Sequence, residues 1–373
     1  MGSPREKIKG RMTDHFRAKF FRIRLQRDDQ RTMPRRRHTP FRLRFLRILL
    51  FAIFIPPLPV RGDEMNSTIL IGNSKIDVTI EGADLSTNQE RLTQWIRSAA
   101  ESVSAYYGRF PVSEVRLRVT VTDGRGVSHG TTYGNRGAFI RINVGKDTSP
   151  EALENDWMLT HEMVHLTFPS MSDEHHWIEE GIATYVEPIA RVQARHMDPT
   201  RMWYELVRDL HQGLPEAGDQ GLDRTHTWGR TYWGGALFCF LADLEIRRQT
   251  KNKKGLQDAL RGILDAGGDI THDWEIEKAF SIGDKAVGVS VLLPLYEKMK
   301  DSPGDVELNA LWKQLGLSLE GGTVRIDDTA PLAAARKAIT TGSSSSSSNL
   351  DSLLQFFAVD AGRTVGPRPP RGS

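Results

Sequence analysis

Residues Trp157–Glu187 read W-M-L-T-H-E-M-V-H-L-T-F-P-S-M-S-D-E-H-H-W-I-E-E-G-I-A-T-Y-V-E. They contain H-E-x-x-H at His161, Glu162 and His165. On an α-helix, positions i and i+4 lie one turn apart on the same face, so both imidazoles can reach one metal ion. Glu162 then points toward a water on that ion. Glu180 follows His165 by 15 positions, inside W-I-E-E-G-I-A-T-Y. Ile178, Ile182, Tyr185 or Val186, and Ile189 recur there at helical spacing, which predicts a second helix with one buried stripe. A carboxylate near its start, facing the first helix, would complete a two-His, one-Glu zinc set with an open fourth position. A surface helix carrying two solvated histidines and an acidic pair is the plainer alternative.

Both halves of this pattern resemble the gluzincin metallopeptidases, the clan of thermolysin, the alanyl-type aminopeptidases and the glycyl aminopeptidases. In the aminopeptidase branches the third ligand is the Glu of W-x-x-E-G-x-x-x-Y. That register falls on Trp177, Glu180, Gly181 and Tyr185. The resemblance thus implies His161, His165 and Glu180 as zinc ligands, Glu162 as the general base, and Glu179 as a bystander. The gap after the second His is shorter here than in those branches. A second likeness lies in R-T-Y-W-G-G-A-L-F-C-F-L-A-D-L-E-I-R-R-Q-T, Arg230–Thr250. It is similar to the Y-x-K-G-x-L…L-D-x-x-I-R segment of glycyl aminopeptidases, which implies Tyr232 as the donor to a tetrahedral oxyanion. Gly234 stands where that motif has Lys, and Gly235 keeps its Gly. His226 is a weaker choice for the same role.

The resemblance spans roughly residues 138–266. It implies that an edge strand before the zinc helix pairs with substrate backbone, and A-F-I-R-I-N-V (Ala138–Val144) occupies that place. Ala138, Ile140 and Ile142 are therefore expected to line a bound peptide by strand addition. The G-x-M-E-N motif, whose Glu holds a free amine in alanyl-type enzymes, is not found; Asp123 or Glu154 could substitute. His175 and His176 fall outside the gluzincin register, and Phe168 and Met171 hold the places where a metzincin needs glycine and a third histidine. The implied activity is zinc-dependent hydrolysis of peptide bonds. A catalytically silent domain of the same fold, binding peptides or cell-envelope proteins, is the other reading.

The chain has 373 residues, 39% of them hydrophobic, enough for one large or two ordinary domains. Its net charge of +3 hides an asymmetry. Residues 1–62 hold 17 Lys/Arg against 4 Asp/Glu, so the remainder is acidic, and nucleic acid is not an expected partner. Arg35–Arg37, Arg42, Arg44 and Arg47 precede an apolar run, Ile48–Val60, too short for a membrane span of about 20 residues. This reads as an export signal, cleaved or kept as an anchor, with a basic arm as the alternative; Met33 would start a signal of ordinary length. A periplasmic or secreted protein is expected, touching membrane only through that segment. The single cysteine, Cys239, excludes an intramolecular disulfide and reads as an inert core residue.

An α+β fold is predicted: a small mixed sheet with an edge strand, over a mostly helical, thermolysin-like zinc domain. Residues 63–148 would form the α/β part, 149–340 the helical part, and 341–373, with six consecutive Ser, a disordered tail. Strands are expected at Thr68–Ile71, Ile76–Ile80, Val115–Val121 and Ala138–Val144. A helix is expected over Asn88–Tyr107. Gly124–Gly137 lacks the spacing of a phosphate loop and reads as a hairpin connection. One zinc helix should run from Ser149 to about Phe168, capped by Ser149 with Pro150 at its first position. Further helices are expected from Asp198, at Gly255–Leu264, His272–Phe280, Ala286–Met299 broken at Pro294, Val306–Leu315, and ending near Ile339.

Overall fold

The computed structural model describes residues 63–82, 89–304 and 306–342. The proposed signal segment and the Ser-rich tail lie outside them. Among the described residues no helix is long and apolar enough to cross a membrane.

Five strands form one sheet: β1 (Asp63–Ile71), β2 (Ser74–Gly82), β3 (Glu114–Thr122), β4 (Val127–Tyr133) and β5 (Phe139–Gly145). Their spatial order is β1-β2-β3-β5-β4. β2, β3 and β5 run parallel, and β4 lies antiparallel to β5 on the outside. Parallel neighbours need a crossover, and α1 (Gln89–Tyr107) supplies it between β2 and β3. Strict alternation decides which face is covered. Val115, Leu117 and Val119 of β3 and Ile140, Ile142 and Val144 of β5 are buried, with Arg116, Arg118 and Arg141 between them exposed. The stripe Leu92, Trp95, Ile96, Ala99 and Val103 of α1 is buried as its spacing requires.

This arrangement corrects one expectation. Ala138, Ile140 and Ile142 are 5%, 0% and 0% exposed, and β5 is bonded on both sides, to β3 and to β4. They cannot meet a peptide backbone. The edge belongs to β4, V-S-H-G-T-T-Y, inside the stretch read as a bare connection. Its glycine, serine and threonines carry little strand signal, and its register slips between Ser128 and Thr131.

The helical part comprises α2 (Pro150–Glu154), α3 (Met158–His165), α4 (His176–Gln193), α5 (Pro199–Asp209), α6 (Gly235–Gln249), α7 (Leu256–Asp265), α8 (Ile276–Val287), α9 (Leu292–Met299), α10 (Leu308–Leu315) and α11 (Ala333–Thr341). A mixed sheet with a helical body is the predicted fold class. The zinc helix, however, is two helices. Ser149 caps α2 as expected. The Asp156 carboxylate then accepts from the backbone N–H of Met158 and Leu159 and from Trp95 Nε1, starting a fresh helix one turn before His161. The expected helix from His272 begins only at Ile276, because Ser170 bonds the backbone at His272 and Trp274. The break before α9 sits at Gly288, not Pro294: Asp284 accepts from the N–H groups of Val291 and Leu292, and Pro294 lies in the first turn, where it is tolerated. A hairpin of β6 (Leu317–Glu320) and β7 (Thr323–Ile326) around Gly321-Gly322 was not foreseen, although Gly-Gly between alternating residues signals one.

α4 and α6 cross where Gly181 meets Gly235. A Cβ on Gly181 would lie 2.3 Å from the Gly235 carbonyl carbon, and one on Gly235 would lie 2.2 Å from the Trp177 carbonyl oxygen. Both contacts are with backbone, which no rotamer change relieves. Gly181→Ala is therefore expected to destabilise the fold by about 1–3 kcal/mol, the usual cost of overpacking. Urea unfolding should show a lower midpoint with an unchanged slope; an unchanged midpoint would mean the crossing is looser than it looks.

Candidate metal centre and active site

α3 projects His161, Glu162 and His165 below β4, and α4 projects Glu180 toward them from the other side. Glu180 Oε2 lies 3.1 Å from His161 Nε2 and 3.6 Å from His165 Nε2. One ligand atom from each of the three residues falls within 4.8 Å of the others. The fit to zinc can be tested on these distances. Zn–N and Zn–O bonds near 2.0–2.1 Å in tetrahedral geometry place donor atoms about 3.3 Å apart. The observed 3.1 and 3.6 Å bracket that separation. Two imidazole nitrogens and one carboxylate are also the donor chemistry of a catalytic zinc. The residues fit the metal.

Glu180's other oxygen, Oε1, lies 3.3 Å from His176 Nε2. Glu179 points elsewhere: its carboxylate accepts from the Met171 N–H and lies 3.0 Å from His176 Nδ1. The adjacent acids thus divide, Glu180 facing both rings of α3 and Glu179 latching the loop before α4. Burial pushes the Glu180 carboxyl up, but His165, His161 and His176 outweigh it and hold it well below the usual range. The acids Glu179 and Glu180 in turn raise His176 to about 10. Burial alone would lower His165; Glu180, Glu162 and Glu179 raise it instead. The pocket's field favours a cation.

Glu162 is 5% exposed. Burial raises its carboxyl, against the pull of His165, His161 and a hydrogen bond from Thr132. Thr132 Oγ1 lies 2.7 Å from Glu162 Oε2 and 2.8 Å from its backbone carbonyl. Gly130 makes the approach possible, since a Cβ there would stand 2.6 Å from Glu162 Oε1. Neither Gly130 nor Thr132 was singled out from sequence. Their signal was the two-residue spacing that puts both on β4's inner face.

Tyr232 sits in a π-helical turn, Gly229–Gly234, that leads into α6. Its ring stacks on His161 at 6.4 Å and on Trp228 at 5.9 Å. Burial first, then Glu180 and Glu162, keep its hydroxyl firmly protonated, so it serves as a donor. His226 is exposed on the preceding loop. Asp123 pairs with Lys146 and is 94% exposed, and Glu154 lies exposed on α2. His175 turns away, sharing Tyr296 and Asp223. Cys239 is buried in α6, as its apolar setting implied.

No protein-family model matches the chain, and neither does any curated protein. Among solved structures it is similar to an aminopeptidase N family protein from Idiomarina loihiensis, with a TM-score of 0.50 and 15% identity over 69% of this chain and 50% of that one. The fold is that of the aminopeptidase N family. Another similar structure is an M1 zinc metallopeptidase from Deinococcus radiodurans, with a TM-score of 0.44 and 14% identity over 66% of this chain and 53% of that one. The chain spans about half the length of these structures. The expected fold is present, and in it α3 and α4 pack side by side.

Metal analysis of the purified protein should find one zinc per chain, lost in Glu180→Gln and kept in Glu179→Gln. The reverse result would reassign the third ligand to Glu179.

Proposed function

We propose that this chain is an exported zinc-dependent metallopeptidase that hydrolyses peptide bonds. The observation that carries the reading is the convergence of His161, His165 and Glu180 on one point, with Glu162 and Tyr232 beside it. Export rests on the basic and apolar residues before Asp63, read from sequence alone.

His161, His165 and Glu180 would hold the zinc, which when bound supplies a Lewis acid and acidifies water to a pKa of about 7. The chain's own groups do the rest. An extended peptide pairs with the free edge of β4, which positions its carbonyl above α3. Glu162 takes a proton from the attacking water and returns it to the leaving amine. Its burial near the rings suits a group that must both accept and release that proton. Thr132 holds one carboxylate oxygen, leaving Oε1 for the water. Tyr232 donates its hydroxyl to the developing oxyanion, a charge that the ground-state carbonyl does not carry.

Glu162→Gln keeps the shape of the site and removes the base. Zinc content should stay at one per chain while turnover of a peptide library falls by about 10²–10⁴. Tyr232→Phe should lower kcat by about 10²–10³ with little change in KM. A zinc-loaded wild type inert toward every library peptide would instead favour the silent, peptide-binding reading.

A further inference from the structure

The outer face of the sheet, opposite the side that covers α3, carries an unusual set of side chains. Tyr133 of β4 and Phe139 of β5 lie directly opposite each other, their rings stacked at 5.8 Å. The Arg116 guanidinium sits 5.2 Å from the Phe139 ring centre and that of Arg118 sits 6.0 Å from it. Arg141 donates to the Tyr133 hydroxyl, and Arg116 donates to the backbone carbonyl of Arg136, just past the end of β4. All four arginines are exposed.

Two features show that this surface is more than a solvated sheet face. Arg118 and Arg141 are cross-strand partners in the β3–β5 register. Like charges placed opposite each other destabilise a sheet. Compensation is also incomplete. Arg118 has Glu81 at 3.9 Å, and Asp77, opposite Arg116, is already engaged by Lys75 and Thr68. Among the described residues no carboxylate lies within 4.0 Å of Arg116, Arg136 or Arg141. Arg116 and Arg118 lie against the Phe139 ring and Arg141 against the Tyr133 hydroxyl, and their charge is left over, in a part of the chain that is otherwise acidic.

That leftover charge borders the edge where a peptide would add. On β4, Gly130 and Thr132 face Glu162, and Thr131 and Tyr133 face the arginines. A strand added to β4 repeats the alternation, so every second side chain of the peptide falls on the outer face. It lies about 10 Å from β5, two strand spacings, a gap that an arginine and a glutamate side chain close together. We propose that Arg141 and Arg136, supported by Arg116, select acidic side chains at the outward positions of a peptide bound along β4. The ligand class is an extended peptide with Asp or Glu at alternate positions. This rests on the edge-strand reading of the proposed peptidase.

The test uses zinc-loaded Glu162→Gln protein, so that peptides stay intact, and three labelled peptides of one length with Glu, Ala or Lys at alternate positions. Binding is read by fluorescence anisotropy at low and at physiological salt. The Glu peptide should bind about three- to tenfold tighter than the Ala peptide, and the Lys peptide more weakly than both. The gap should narrow as salt rises. Arg136→Glu with Arg141→Glu should reverse the order and leave the Ala peptide within about twofold; thermal melting checks that this exposed pair leaves the fold intact. Equal binding of the three peptides overturns the proposal, as does a Glu preference that survives in the double variant. Wild type that cleaves the Ala and Glu peptides equally well overturns the acidic preference and leaves the peptidase standing. An arginine-dependent preference in binding, with no cleavage by wild type, does the opposite. No binding by any peptide overturns both.

Discussion

The backbone contact of Gly181 with Gly235 sets the rest of the site. α4 and α6 touch there without an intervening side chain. One residue before the contact on α4 is Glu180, and three before it on the other segment is Tyr232. A wider crossing would move Glu180 and Tyr232 together, away from a pair of imidazoles fixed on α3. Around the crossing the packing is aromatic: Trp177 meets Phe238 at 5.2 Å, and Phe238 stacks on Phe280 at 5.4 Å. Trp177 Nε1 donates to Asp223, which also accepts from Tyr296. The indole thus cannot rotate out of the interface, and α4 keeps its register.

Burying several carboxylates in one place is costly, and the site shows how each is held. Glu162 has Thr132, Glu179 has the Met171 N–H and His176, and Glu180 has three imidazoles. Leaving a buried charge without its partner costs about 3–5 kcal/mol, a large part of a typical domain's stability. The division of labour between Glu179 and Glu180 follows from this. Successive residues on a helix point about 100° apart, so two adjacent acids cannot both face the same pair of rings. His176, at the start of α4, lies against one oxygen of each acid and keeps them apart.

Helical features were the most legible in the sequence because their signals are local. The spacing of His161 and His165, the stripe of α1 and the Ser149 and Asp198 caps each depend on residues within a turn of one another. What was hidden depends on partners far along the chain. Alternation in Ala138–Val144 reports that one face is covered, but not that both edges are bonded; that requires β3 and β4 to lie on either side. β4 itself is built for close approach to Glu162, and the glycine this demands at 130 weakens its strand signal. The split of the expected single helix over residues 149–168 turns on Asp156, which also accepts from Trp95 on α1, 61 positions away. Asp284 acts similarly at the start of α9, across an interval that resembles helix on composition alone.

The departure of Arg230–Thr250 from its motif also has a local cause. The π-helical turn carrying Tyr232 is anchored by Arg230, which forms a buried ion pair with Asp219 at 2.7 Å and donates to the Gly213 carbonyl. A Cβ on Gly213 would lie 2.2 Å from the Trp233 carbonyl oxygen, so the turn is pressed against the preceding backbone as well. At Gly234, where the motif has Lys, a Cβ would stand 3.3 Å from Arg230 Nη1 and 3.1 Å from Leu222 Cδ2. A lysine there would bring a second cation beside a buried guanidinium already served by its one acid. Arg230 thus fixes the turn that holds the Tyr232 ring against His161.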